Sequence, residues 1–227
     1  MRFCDKEWPA DTEILQCVNV RIDDLGPLRE LPGLRQLSLY ATNPHRTIEH
    51  PFRDLSPMLD LSDLAVLEIA RSRVEDLTPL RDLTHLRRLD LSRTCVTDLS
   101  PLAGLSELEW LKLNSTPVAD LRPLATLERL NYLDVSNTSV ADLSPLAGLR
   151  ALRQLVVRDT PITTLADVAA LPAVTEVAEL DLTGTQVSDL GWIDGAAALR
   201  ELRLIGTPAA GRPEARALAE QGITVID

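Results

Sequence analysis

Three consecutive stretches of this chain, "LRRLDLSRTCVTDLSPLAGLSE", "LEWLKLNSTPVADLRPLATLER" and "LNYLDVSNTSVADLSPLAGLRA", are variants of one 22-residue sentence. The leucine at the centre of that sentence recurs at Leu67, Leu89, Leu111, Leu133 and Leu155 in steps of 22, and the frame extends back to Leu37 and Leu15 and on to Leu180 and Leu202. Two steps are longer. Eight extra residues fall between Leu37 and Leu67, within "NPHRTIEHPFR" at 43–53, and three fall between Leu155 and Leu180. A unit this short cannot bury its own apolar face, so it must stack on copies of itself, and nine copies make a solenoid.

Each position in the unit has a physical role. The two leucines of "LxL" stand two apart on a short strand and share its inward face. After a turn comes a Thr-x-Val step: Thr42, Thr94, Thr116, Thr138, Thr160, Thr185 and Thr207 share a column where a hydroxyl is expected to bond the neighbouring coil's backbone. Val74, Val96, Val118, Val140, Ile162 and Val187 fill the core beside it. "DLSPLxxL" then reads as a turn or two of short helix. Ser56, Thr78, Ser100 and Ser144 are the expected N-caps, and the proline that follows each suits a first helical position. The acids Asp24, Asp54, Asp76, Asp98, Asp120, Asp142 and Asp189 form another column, read as hydrogen-bonding partners of these helix starts.

The pattern L-x-x-L-x-L-x-x-[NT]-x-[VI]-x-D-L-x-P-L-x-x-L resembles the leucine-rich repeat superfamily, in its internalin-like and protein-phosphatase-1-regulator-like form. Thr stands where the family usually has Asn, as in many bacterial members. The resemblance implies an α/β right-handed solenoid, with a parallel sheet on the concave face and short 3-10 or α turns on the convex face. It also implies a module that binds another protein, or a regulatory subunit or sensor domain that modulates a partner enzyme. The expected organisation is an N-terminal edge cover at 1–14, nine repeats at 15–208 and a C-terminal helix–strand cap at 209–227. Phe3 and Trp8 are candidates to cover the first coil, and a helix from about Pro213 to Gln221, stopped by Gly222, leads to a last strand at Ile223–Ile226. A lightly covered N-terminal edge leaves both a monomer and an end-to-end dimer open.

Composition narrows the partners. With 34 acidic against 23 basic residues the net charge is −11, which disfavours nucleic acid and anionic membranes. No apolar run approaches the roughly 20 residues that cross a bilayer, and the first residues lack the apolar stretch of a signal peptide. The expected address is cytoplasmic. Cys4, Cys17 and Cys95 have no metal-ligand or disulfide-framework spacing, so reduced thiols are expected, with Cys17 in the core in place of a leucine.

The residues flanking the inward leucines face outward and are free to vary. Only seven aromatics occur in the chain, yet Tyr40, Trp110 and Tyr132 fall at these outward strand positions, and Trp110 and Tyr132 occupy one column in adjacent repeats beside Arg88. Aromatic and Arg side chains anchor many protein interfaces. The expected partner-binding residues are therefore Tyr40, Arg71, Arg88, Arg93, Trp110, Lys112, Tyr132, Asp134 and Arg158, although the rings are also placed simply to stack on one another. The insertion, with His45, Arg46, His50, Phe52 and Arg53, is a second candidate, since long interruptions of a regular array often serve recognition. Neither a nucleotide-binding nor a hydrolase motif is present, and the three histidines have no convergent nucleophile and acid, so no catalytic residue, metal or cofactor is expected.

Overall fold

The computed structural model describes residues 1–40, 48–163, 178–191 and 198–227. A ten-stranded sheet runs through them in strict chain order: β3 (Ile14–Val18), β4 (Gln36–Tyr40), β5 (Val66–Glu68), β6 (Arg88–Asp90), β7 (Trp110–Lys112), β8 (Tyr132–Asp134), β9 (Gln154–Val156), β10 (Glu179–Asp181), β11 (Glu201–Arg203) and β12 (Thr224–Ile226). Every pair is parallel, and the register matches the repeat: Leu15 pairs with Leu37, Leu37 with Leu67, and so on through Leu180 with Leu202. All nine leucines are buried, and with the second inward column (Ile69, Leu91, Leu113, Val135, Val157, Leu182, Leu204) they form one continuous spine. Each such side chain contributes on the order of 1.5–3 kcal/mol by leaving water.

The return segment is a 3-10 helix rather than an α-helix, and its apolar spacing explains why. Leu99, Leu102, Leu105 and Leu108 recur every third residue, and each donates its N–H to the carbonyl of the previous one at 2.9–3.0 Å. A helix of three residues per turn keeps such a series on one face, which a 3.6-residue helix would not. The serines and threonines expected to cap these helices do not do so. Each helix begins at that residue, as in Ser56–Met58, Thr78–Leu80 and Ser100–Leu102, and the cap position is the leucine before it. The acceptor is the aspartate two residues upstream: Asp54, Asp76, Asp98, Asp120 and Asp142 take the N–H of Ser56, Thr78, Ser100, Arg122 and Ser144 at 2.7–2.9 Å. Bonds from the backbone and hydroxyl of Ser56 and Ser100 hold Asp54 and Asp98 below the usual carboxylate range. Thr78 does the same to Asp76, its hydroxyl leading, and the Arg122 guanidinium leads at Asp120.

The threonine column also bonds differently from expectation. Thr94 Oγ1 donates to the carbonyl of Leu91 at 2.7 Å, and Thr116, Thr138, Thr160, Thr185 and Thr207 repeat this contact three residues back, within their own coil. Thr42 lies outside the described residues. The place expected for it in the second coil is taken by His50, which bridges in parallel to Ser72 and donates its N–H to the carbonyl of Arg71 at 2.8 Å.

Before the first and after the last repeat strand the chain departs from the repeat. Arg2–Phe3 (β1) and Lys6–Glu7 (β2) make a hairpin whose two-residue tip, Cys4 and Asp5, has φ of 53° and 58°, the left-handed pair that matches the twist of tight hairpins. Phe3 and Cys4 are buried, and Trp8 packs beside them with its indole N–H on the Phe3 carbonyl at 2.9 Å. The cysteine spacing predicts reduced thiols, and the structure corrects this for two of the three. Cys4 is bonded to Cys17 across a Cα separation of 5.6 Å, tying the hairpin tip to β3, while Cys95 is free and exposed. At the other end the helix Pro213–Glu220 turns Ala215 and Leu218 inward, Gly222 takes φ of 93°, and β12 joins the sheet beside β11.

Candidate functional site

In β6, β7 and β8 the central leucine points into the spine, so the residues on either side must stand on the open face of the sheet. The register places Arg88, Trp110, Tyr132 and Gln154 in one row and Asp90, Lys112, Asp134 and Val156 in the next. Neighbouring strands lie about 4.8 Å apart. The Trp110 and Tyr132 rings take up that spacing, with centroids 5.0 Å apart and planes 14° from parallel. The Arg88 guanidinium lies 3.5 Å from the Trp110 centroid, and its Nε donates to Glu68 Oε1 at 2.7 Å. Lys112 Nζ stands 5.0 Å and 6.0 Å from the two ring centres. Glu68, Arg88, Trp110 and Tyr132 thus form a ladder across four strands, and an aromatic pair and a cation over a ring contribute about 0.5–1.5 and 0.5–1 kcal/mol.

Both rings remain partly exposed, so the stack forms a platform on the open face rather than part of the core. Burial, followed by the charges of Asp134 and Asp90, pushes the Tyr132 phenol up to about 12. Its hydroxyl is therefore a protonated donor throughout the physiological range. A groove of about 210 Å³ continues from Tyr132 over Val156 towards Glu179, Asp181 and Glu201.

The other expected residues are distributed around this platform. Asp134 is held by Ser136, accepting its N–H at 3.0 Å and its hydroxyl at 2.6 Å. Tyr40 stands on β4, three strands and about 14 Å from the Trp110 row; it is 41% exposed and its hydroxyl reaches Gln16 Oε1 at 3.5 Å. Arg158 follows β9, 3.8 Å from Asp181. Arg71 and Arg93 sit in the turns just past β5 and β6 and line a second cleft with Arg73, which stands outside the outward strand columns.

The insertion does not present the side chains expected of it. His45 and Arg46 lie outside the described residues. His50 and Phe52 are only 4% and 5% exposed, because they occupy the Thr and Val columns of their coil. Phe52 fills the spine between Ile22 and Val74. His50 Nδ1 accepts the Ile22 N–H at 3.1 Å, a bond that only the neutral ring makes. Burial first, and then Arg21, hold its pKa below the ordinary value, against the opposing pull of Asp23. Arg53 alone of the described three is at the surface, paired with Glu75 at 2.6 Å. Among the described residues no group of His, Cys, Asp and Glu is arranged to hold a metal, and no helix is long and apolar enough to cross a membrane.

The stacked parallel coils, their 3-10 returns and the open sheet face define a leucine-rich repeat solenoid. Within that class the chain is internalin-like. It is similar to internalin C2 of Listeria monocytogenes, with 29% identity, a TM-score of 0.72, and coverage of 82% of this chain and 78% of that one. For internalin F of the same organism the identity is 26% and the TM-score 0.76, over 92% of this chain and 66% of that one. A leucine-rich repeat protein of Leptospira interrogans, at 18% identity and a TM-score of 0.74, shares the fold over 91% of this chain and 52% of its own length. No family model and no curated protein sequence matches the chain.

Proposed function

We propose that the protein is a non-enzymatic interaction module that holds a partner protein against the open face of its sheet, centred on Trp110 and Tyr132. The observation that carries this reading is the partly exposed ring stack, braced by Arg88 and Lys112 on the sheet. Rigid aromatic surface costs little entropy to bury, and such residues dominate interface energetics. Pre-stacking on Arg88 fixes the rings before a partner arrives, so less ordering remains to be done on binding. Arg71, Arg93, Asp134 and Arg158 flank the centre, and Tyr40 marks an outlying contact.

Native co-purification with mass spectrometry identifies the partner. A disulfide such as Cys4–Cys17 persists under oxidising conditions and not in a reducing cytosol, so the capture is run in both. The double variant Trp110→Ala, Tyr132→Ala leaves the fold intact, since both rings lie outside the spine, and weakens the captured partner by more than about 2 kcal/mol, roughly thirtyfold in Kd. An unchanged affinity removes this face as the binding site.

A further inference from the structure

The cleft beside β5 and β6 gathers positive charge in a protein whose net charge is −11. Arg71, Arg73 and Arg93 line it together with Ser72 and Cys95, with Glu49 at its lip, in a volume of about 230 Å³. Many arginines of this chain are neutralised, as in the pairs Arg53–Glu75, Arg87–Glu107, Arg88–Glu68 and Arg122–Asp120. Among the described residues Arg71, Arg73 and Arg93 form no ion pair, with Glu49 or any other acid.

Their backbone conformation is unusual as well. Arg71 and Arg93 have φ of 61° and 58°, in the turn column that elsewhere holds Asn19, Ser115, Asn137, Asp159, Gly184 and Gly206. Small polar residues and glycine tolerate this left-handed conformation; a long side chain gains nothing from it. Two successive coils nonetheless place arginine there, facing one cleft. At its floor, Ser72 is 3% exposed and its hydroxyl has no partner, whereas the hydroxyls of Thr94 and Thr116 at the same position of the next coils are satisfied.

We propose that Arg71, Arg73 and Arg93 form an anchor for an acidic segment of the partner protein, its carboxylates paired with the guanidiniums as the chain leaves the Trp110–Tyr132 platform. Guanidinium forks pair carboxylates in bidentate fashion and need no local partner to compete with them. The inference rests on the reading that a protein covers the sheet face, and it names the chemistry of that protein at the rim.

Cys95 supplies the assay, as it is the one free thiol and lines the cleft. The rate at which it reacts with the neutral reagent dithiodipyridine is followed while hexaglutamate is added to the full chain. Hexaglutamate slows the reaction, hexalysine does not, and the half-protecting concentration rises at least tenfold in Arg71→Asn, Arg93→Asn and on raising the salt. Asn is the residue that Asn137 already places in this turn, so the variant keeps its fold, which circular dichroism checks. Absence of protection, equal protection in the double variant, or equal protection by inorganic phosphate overturns the proposal, the last by making the cleft a small-anion site. A captured partner that is weakened by Trp110→Ala, Tyr132→Ala but indifferent to Arg71→Asn, Arg93→Asn overturns the anchor and leaves the platform standing.

Discussion

Leu111 is the middle of the spine, and shortening it to alanine measures how far the stacked coils behave as a packed interior. Leu89, Leu111 and Leu133 are each 0% exposed and lie in successive strands. The strands on both sides are fixed by ladder bonds that continue past their ends, Leu91 N–H to the Lys112 carbonyl at 2.9 Å and Leu113 N–H to the Asp134 carbonyl at 2.8 Å. The coils therefore cannot close over the vacated volume. Leu→Ala substitutions cost roughly 2.7–5 kcal/mol, least where the site collapses and most where it does not, so Leu111→Ala is expected near the upper part, about 4 kcal/mol. Equilibrium urea unfolding followed by circular dichroism reads this, with Leu59→Ala as control: Leu59 is 58% exposed, and its loss costs under about 0.5 kcal/mol. A Leu111→Ala cost below about 2 kcal/mol, or a cost at Leu59 equal to it, would refute the account of a rigid spine.

The Cys4–Cys17 bond closes a short loop, with a sequence separation of 13, so Cys4→Ser, Cys17→Ser is expected to lose about 3 kcal/mol by thermal or urea unfolding; insensitivity to both substitution and reductant would show that the hairpin holds itself. His50 predicts an acid response. Its folded pKa is lowered, so the unfolded chain binds more protons, and the stability it supports is complete above about 6.5 and is lost as pH falls towards the folded value. His50→Gln removes that titration, and a urea midpoint that falls equally in both proteins between pH 7.5 and pH 5, values about the ordinary histidine range, would assign the loss elsewhere. The lowered carboxyls of Asp54, Asp76, Asp98 and Asp120 give way later, as pH falls below their unfolded value of about 3.8.

The solenoid was legible in the sequence because its period is covalent: nine leucines in frame leave one way to pair nine short strands, and the outward columns follow from alternation. The Trp110–Tyr132–Arg88 contact was legible for the same reason. The insertion was misread because two column positions carry chemically unfamiliar residues. Counting back from Asp54 by the offsets that separate Asp98 from Thr94 and Val96 lands on His50 and Phe52, so the signal was present in the numbering although not in residue type. Ser56 and its equivalents looked like caps since they begin each helix, whereas an aspartate two residues earlier reaches the same N–H with a charged oxygen. The Cys4–Cys17 bond had no such signal. One partner lies ahead of the repeats, and only the fold of the hairpin brings the two together.

The second coil returns to register at His50 after its additional residues, which has a consequence for how molecules of this kind change length. A single residue added within a three-residue leucine run would rotate every later leucine by about a third of a turn, so an addition there keeps the face only in threes, the surplus by which the step from Leu155 to Leu180 exceeds 22. Residues grafted ahead of the buried column, by contrast, emerge on the margin beside the arginine cleft, so new loops acquired there over time would stand next to whatever the sheet holds.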